Sequence, residues 1–375
     1  VTSDDNEFSG ERVPGDEVDR AELERYVRHL QRQVQTEGTE EWFSHERHKA
    51  WIATNRARVG ESLPERDRAA AVESYVNYLE QFNAASPHDD ATAAAIFQPL
   101  MKEVIDAAQQ LGLRTRRAVV LACSPSIETT PFTLPSAGDH ILLVGTATSA
   151  FCNYWAKIFV SLVHGQPVHR RAESGPIPSR MTLEAVSNAV KLALYYGYTG
   201  TVLGHGALWS DPQWFAPRME YVTAMEMFVL SHEYGHCIAE EASDRYRGML
   251  SAEMSRELEL LCDRMGTAIA KLAGTNGGWV SYCGGGATLM IYASAICERA
   301  RDLYGGARTS TACTHPPAQD RIAVIRAQVL STTPPDQLAA VISFLDDLTA
   351  LCEELKEVVV EILEDMAARH TTSPE

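Results

Sequence analysis

Two histidines four residues apart, His232 and His236, bracket a glutamate in the stretch Ser231-His232-Glu233-Tyr234-Gly235-His236. A helix turns once every 3.6 residues, so side chains four apart leave one face and two imidazoles at this spacing can grip one metal ion. Glu233 then lands beside the open metal position, where a carboxylate can take a proton from a water held there. The run Met225–His232 is largely apolar and no proline occurs from Met219 to Glu241, so the segment is predicted to be helical. Gly235 keeps the face between the histidines small, at a propensity cost of about 1 kcal/mol that a purely structural helix would avoid. The competing reading is an amphipathic helix carrying two half-buried histidines.

A catalytic zinc site needs a third protein ligand and a partner that orients a ligand histidine. The next acidic segment, Ser251–Gly266, offers candidates. Glu259 and Asp263 lie four apart and share a face, so one can bind metal while the other accepts the N–H of a histidine. Glu253 and Glu257 are also four apart, which makes Glu257 the rival ligand. Glu259 is preferred, because Cys262, Met265 and Gly266 beside it suit a buried helix contact. The plain alternative is a solvated face paired with Arg256 and Arg264.

SHEYGH followed by ELLCDRMG resembles the HExxH and ExxxD pair of the gluzincin metallopeptidases, specifically the CAAX prenyl protease and HtpX-type family. Two further stretches are similar to that family: Thr314-His315-Pro316-Pro317 with Asp320-Arg321-Ile322, and the strand pair Pro131–Thr146 ahead of the catalytic helix. The resemblance covers roughly residues 110–330. It implies zinc on His232, His236 and Glu259, Glu233 as general base and Asp263 as the orienting carboxylate. It also implies a place for His315 near the site, where it could stabilise an oxyanion; a helix-starting loop residue is the equal alternative. Arg321 reads as a structural ion-pair partner.

The chain has 375 residues, 45% of them apolar, enough for a large core. A net charge of −17 argues against nucleic acid and anionic membrane surfaces as partners. About half the excess lies in Pro335–Glu375, with ten acidic and two basic residues. The eight cysteines form no CxxC pair; Cys237 and Cys262 fall inside the expected metal helices and read as free thiols. That usage, an acidic polar start and no convincing membrane span point to a cytoplasmic protein without membrane insertion. The family resembled is mostly membrane-embedded, so the chain departs from it here.

The expected fold is α+β and mostly helical: a zincin-like core of small sheet and active-site helix, preceded by helices. Residues 1–15 read as a tail, 16–112 as a helical region, 113–330 as the catalytic domain and 331–375 as an acidic helix. Helical patterns run over Asp16–Thr36, Glu40–Val59, Pro64–Asn83 and Asp89–Leu111. Arg117–Ala122 and His140–Gly145 read as strands, with Ile141–Gly145 either the candidate edge that an extended peptide could join or, at least equally, a plain core strand. An insertion at 147–214 separates the strands from the metal helix. It holds a helix over Met181–Tyr196, a glycine-rich turn and aromatics (Tyr195, Tyr196, Tyr198, Trp209, Trp214, with Phe215 following) that suit core or a pocket wall. Cys283-Gly284-Gly285-Gly286 lacks the Lys-Ser/Thr of a phosphate loop. Pro335–Arg369 has near-heptad apolar spacing, to pack on the domain or form a homodimer seam.

Three functions follow. The first is zinc-dependent cleavage of a peptide bond. The second is a zinc enzyme for a small amide, ester or modified peptide, with the insertion restricting access. The third is a non-catalytic interaction protein, against which the intact Glu233 speaks.

Overall fold

The computed structural model describes residues 25–31, 50, 65–82, 89–124, 129, 131–135, 139–164, 182–206, 208, 210–246, 250–274, 278–305 and 315–372. The expected tail, the helix over Glu40–Val59 and Trp209 lie outside this set, apart from residue 50. The described chain is mostly helical with one three-stranded sheet.

After a helical stretch at 25–31 come α1 (Glu65–Gln81) and α2 (Ala91–Gln110). Asp90 caps α2 by accepting the N–H groups of Thr92 and Ala93, and Gly112 just beyond the helix takes φ +74°. The sheet contains β1 (Val119–Cys123), β2 (Phe132–Pro135) and β3 (His140–Val144), in the order β1-β3-β2. β3 is parallel to β1, pairing Val119 with His140, and antiparallel to β2, pairing Phe132 with Leu143. Its five residues are all buried, which explains a continuous apolar run without alternation. Of the two readings of Ile141–Gly145, β3 is therefore the core strand and not the free edge. Among the described strands β1 and β2 are the edges.

Within the insertion, α3 (Thr146–His164) is a helix missing from the expected elements. Thr146, Ser149, Asn153, Lys157 and Ser161 form a half-buried polar stripe at helical spacing, and Phe151, Trp155 and Phe159 touch ring to ring on the buried side, so the helical period is present in the sequence. α4 (Leu183–Thr199) matches the expected helix, capped by Thr182 and closed by Gly200 at φ +73°. Tyr196 packs against the core, whereas Tyr198 is 62% exposed against Tyr304.

The expected metal helix is α5 (Phe215–Ala242), about 42 Å long at 1.5 Å per residue. Nearly every residue from Tyr221 to Tyr234 is buried, because α2, α3, β2 and the next three helices pack around it: α6 (Ala252–Gly274), a single turn α7 (Trp279–Tyr282) and α8 (Gly285–Tyr304). After them come α9 (Ala318–Ser331) and α10 (Leu338–Thr372). The glycines before α8 serve packing: a Cβ on Gly286 would lie 2.1 Å from the Ala224 carbonyl oxygen of α5. One apolar core runs from Ala93 to Leu363, so α2 and α10 belong to the body that holds the metal helix. The heptad-like stripe of α10 (Val341, Leu345, Leu348, Cys352, Leu355, Val359, Leu363) is buried within the chain, against α8, α4 and α9. Among the described residues no helix is long and apolar enough to cross a membrane.

Candidate metal centre

α5 and α6 are the most intimately packed helices, and glycine makes that possible. A Cβ on Gly266 would lie 2.9 Å from the Cα and N of His232, and one on Gly235 would lie 3.3 Å from the Cα of Cys262. With those faces bare, α6 lies against α5 and its carboxylates meet the histidines. One donor atom from each of His232, His236 and Glu259 lies within 4.8 Å of the others. Glu257 does not join them; it pairs with Arg245 at the exposed start of α6.

The two Nε2 atoms are 3.2 Å apart, and Glu259 lies 3.3 Å from His232 Nε2 through Oε2 and 3.6 Å from His236 Nε2 through Oε1. Ligands on a tetrahedral zinc with bonds of about 2.0–2.1 Å are separated by about 3.3–3.4 Å. His232 Nδ1 sits 3.0 Å from Asp263 Oδ1, which favours the proton on Nδ1 and leaves the Nε2 lone pair facing the carboxylate. Converging lone pairs need a cation between them, and the donor set of two imidazoles and one carboxylate suits zinc.

In the protein alone a proton does the cation's work. Burial favours a neutral His232, but hydrogen bonds and charge from Asp263 and Glu259 outweigh it and raise its pKa to about 10. Burial likewise opposes ionisation of Glu259, and the hydrogen bond and charge of His232 overturn it, holding the carboxyl well below its usual range. His236 falls to about 4 through burial and the positive His232.

Asp263 is anchored in turn. Arg321 of α9 grips it with both prongs, Nε to Oδ2 and Nη2 to Oδ1, each 2.7 Å. A chain of contacts thus runs from α9 through α6 to His232 on α5, and Arg321 is the ion-pair partner its sequence position suggested. His315, just before α9, lies 3.7 Å from Glu259 Oε2 with its side chain 41% exposed, at the rim of the centre.

Glu233 is buried next to the triad, and burial pushes its carboxyl up to about 7. Thr133 of β2 donates its hydroxyl to Glu233 Oε2 at 3.1 Å and lies 3.2 Å from the Glu233 carbonyl oxygen. Sequence reasoning missed Thr133, because nothing in a four-residue strand marks which side chain meets a helix 100 residues later. It also missed a second brace: buried His140 of β3 meets Glu241 at 2.9 Å, and Glu241 accepts the Arg116 and Arg117 N–H groups. This ties the end of the metal helix to the sheet. A surface cavity of about 440 Å³ lined by Met219, Glu220, Thr223 and Met227 opens on the opposite side of α5 and is separate from the centre.

Comparison of the chain with protein-family models, with curated proteins and with solved structures finds no match.

Proposed function

We propose that the protein is a zinc hydrolase of gluzincin type, and that its reaction is cleavage of a peptide bond. The observation that carries this reading is the convergence of His232, His236 and Glu259 on one point with a buried carboxylate, Glu233, alongside. A structural zinc site is closed by four protein ligands and has no use for a base at that place. The resemblance of SHEYGH, ELLCDRMG and the His315 segment to the CAAX prenyl protease and HtpX-type family supports the same reading.

Zinc held by these residues would polarise a carbonyl and make a bound water acidic near neutral pH. Glu233, with its pKa near 7, takes the proton of the attacking water and returns it to the leaving amine. Thr133 fixes the carboxylate orientation by its hydrogen bond. His315 stands at the open rim, where an N–H can meet developing negative charge on the carbonyl oxygen. The side of β2 that carries no strand among the described residues would offer an extended peptide a strand to join, beside the base.

The test is Glu233→Gln, assayed on an unfolded protein and on small peptide amides. Zinc should stay bound while hydrolysis falls by about 10²–10⁴. Hydrolysis at the wild-type rate would remove Glu233 from the mechanism. Cleavage of the small amides alone would shift the substrate to the second class named above.

A further inference from the structure

The cavity of about 440 Å³ beside α5 takes no part in the reaction proposed above. Its α5 wall is Ala216, Met219, Thr223 and Met227, spaced three, four and four residues apart and therefore on one helical face. Thr223 precedes His232 by nine residues, or two and a half turns. That face points away from the histidines and lies about 14 Å back along the helix.

Two glycines shape the wall across from α5. The Gly278 N–H donates to the Gly274 carbonyl at 2.9 Å, which folds α7 back beside the end of α6. A Cβ on Gly274 would lie 2.3 Å from Ser281 Cβ, and one on Gly278 would lie 3.0 Å from Glu220 Oε1. This close approach sets Glu220 against the start of α7, where its Oε1 accepts the Val280 N–H at 3.0 Å. One carboxylate is thereby fixed in the cavity wall.

A second carboxylate, Glu103 of α2, lines the cavity, and no basic side chain does. Among the described residues neither carboxylate is held in an ion pair. Lys271, two residues before Ala273, is turned elsewhere, donating to the Val329 carbonyl at 3.1 Å and to the Thr333 hydroxyl at 2.6 Å. The rest of the α5 wall is mostly apolar, and Met219 is 38% exposed in it. Methionine adapts its shape to an apolar guest. Small-ligand sites have volumes of about 300–1,000 Å³, apolar walls and a few placed polar groups. The charge here repels carboxylates and phosphates. A metal ion is not served either, because among the described residues only His232, His236 and Glu259 converge closely enough to hold one.

We propose that this cavity binds an organic cation, a primary ammonium group carried on a short apolar body. The ammonium meets Glu103 and Glu220, and the body lies against Met219 and Met227. Such a guest would join α2, α5, α6 and α7, and its binding is independent of the zinc reading.

The experiment is an NMR titration of the full chain, labelled at its methionine methyl groups, with 4-phenylbutylammonium. The uncharged 4-phenylbutanol and the anion 4-phenylbutyrate are the controls, at matched ionic strength. The Met219 and Met227 signals are assigned by single substitution with leucine. We expect both signals to shift saturably with the ammonium compound, at least about tenfold more weakly with the alcohol, and not with the carboxylate. Glu103→Gln combined with Glu220→Gln should weaken binding about threefold or more, since glutamine can still accept the Val280 N–H while the charge is lost. Thr223→Trp, at an exposed position in the wall, should fill the cavity and abolish binding. Zinc-loaded and chelator-treated protein should bind alike, which separates this site from an amine bound to metal. No saturable shift below about 10 mM, equal affinity for the alcohol, binding that survives Thr223→Trp, or binding that disappears with zinc overturns the proposal.

Discussion

Replacing Gly266 with alanine tests whether the contact between α5 and α6 sets the metal centre. The added Cβ would meet His232 Cα and N at 2.9 Å and Ser231 C at 3.2 Å. Comfortable carbon contacts are about 3.5–4.0 Å, so α6 must retreat by roughly 0.5–1 Å. The obstructing atoms are backbone of a buried helix and cannot swing aside. Overpacking of this kind costs about 1–3 kcal/mol, and the better helix propensity of alanine offsets about 1 kcal/mol. The net expectation is a loss of up to about 2 kcal/mol in stability. Function should suffer more, because Glu259 and Asp263 sit on the same face of α6 and move with it. Zinc affinity, read by competition with a chromophoric chelator, should fall about 10–100-fold. Gly235→Ala is the internal comparison: its Cβ would meet Cys262 Cα at 3.3 Å, which a shift of a few tenths of an ångström relieves, so cost and propensity nearly cancel. Wild-type zinc affinity and Tm in Gly266→Ala would refute the view that this contact positions the ligands.

Arg321→Met removes the bidentate partner of Asp263, whose side chain is fully buried, and should cost about 3–5 kcal/mol in urea unfolding; a loss below about 1 kcal/mol would show the pair is not needed. His232 is raised from 6.5 to about 10, so the stability it gives the metal-free protein is full below about pH 6.5 and is lost as pH climbs to about 10. Zinc must displace that proton, so zinc affinity should rise across the same window, and a flat profile between about pH 6.5 and about pH 9.5 would contradict the assignment. Thr133→Val deletes a hydrogen bond that lowers the Glu233 pKa, so the acid limb of the pH–rate profile should move upward with zinc retained; an unmoved limb would exclude Thr133 from positioning the base.

The parts of this structure that were legible in the sequence are those whose geometry a helix dictates. His232 and His236, and Glu259 and Asp263, are fixed by four-residue spacing, and the structure brings both pairs together. Glu259 rather than Glu257 could be chosen because small and apolar neighbours marked the buried face. β1 and β3 were readable as β-rich runs, whereas β2 fell in a proline-marked stretch that reads as an irregular connection and was implied only by the family resemblance. β3 lacks a polar face, so alternation did not show that it is the central strand, whereas α3 carries a polar stripe at helical spacing that was overlooked. Contacts between distant segments, such as Thr133 with Glu233 or His140 with Glu241, leave no local signature. Buried charge at Arg218 was likewise invisible, since an arginine in a helix reads first as solvated surface.

The central claim is the metal ion, and elemental mass spectrometry of the purified protein tests it most directly, with Glu259→Ala beside it. The account expects about one zinc per chain in the wild type and a large loss in the variant. A folded wild-type protein that holds no metal, even after zinc is supplied, would contradict it and leave His232 and His236 as core residues bridged by a proton.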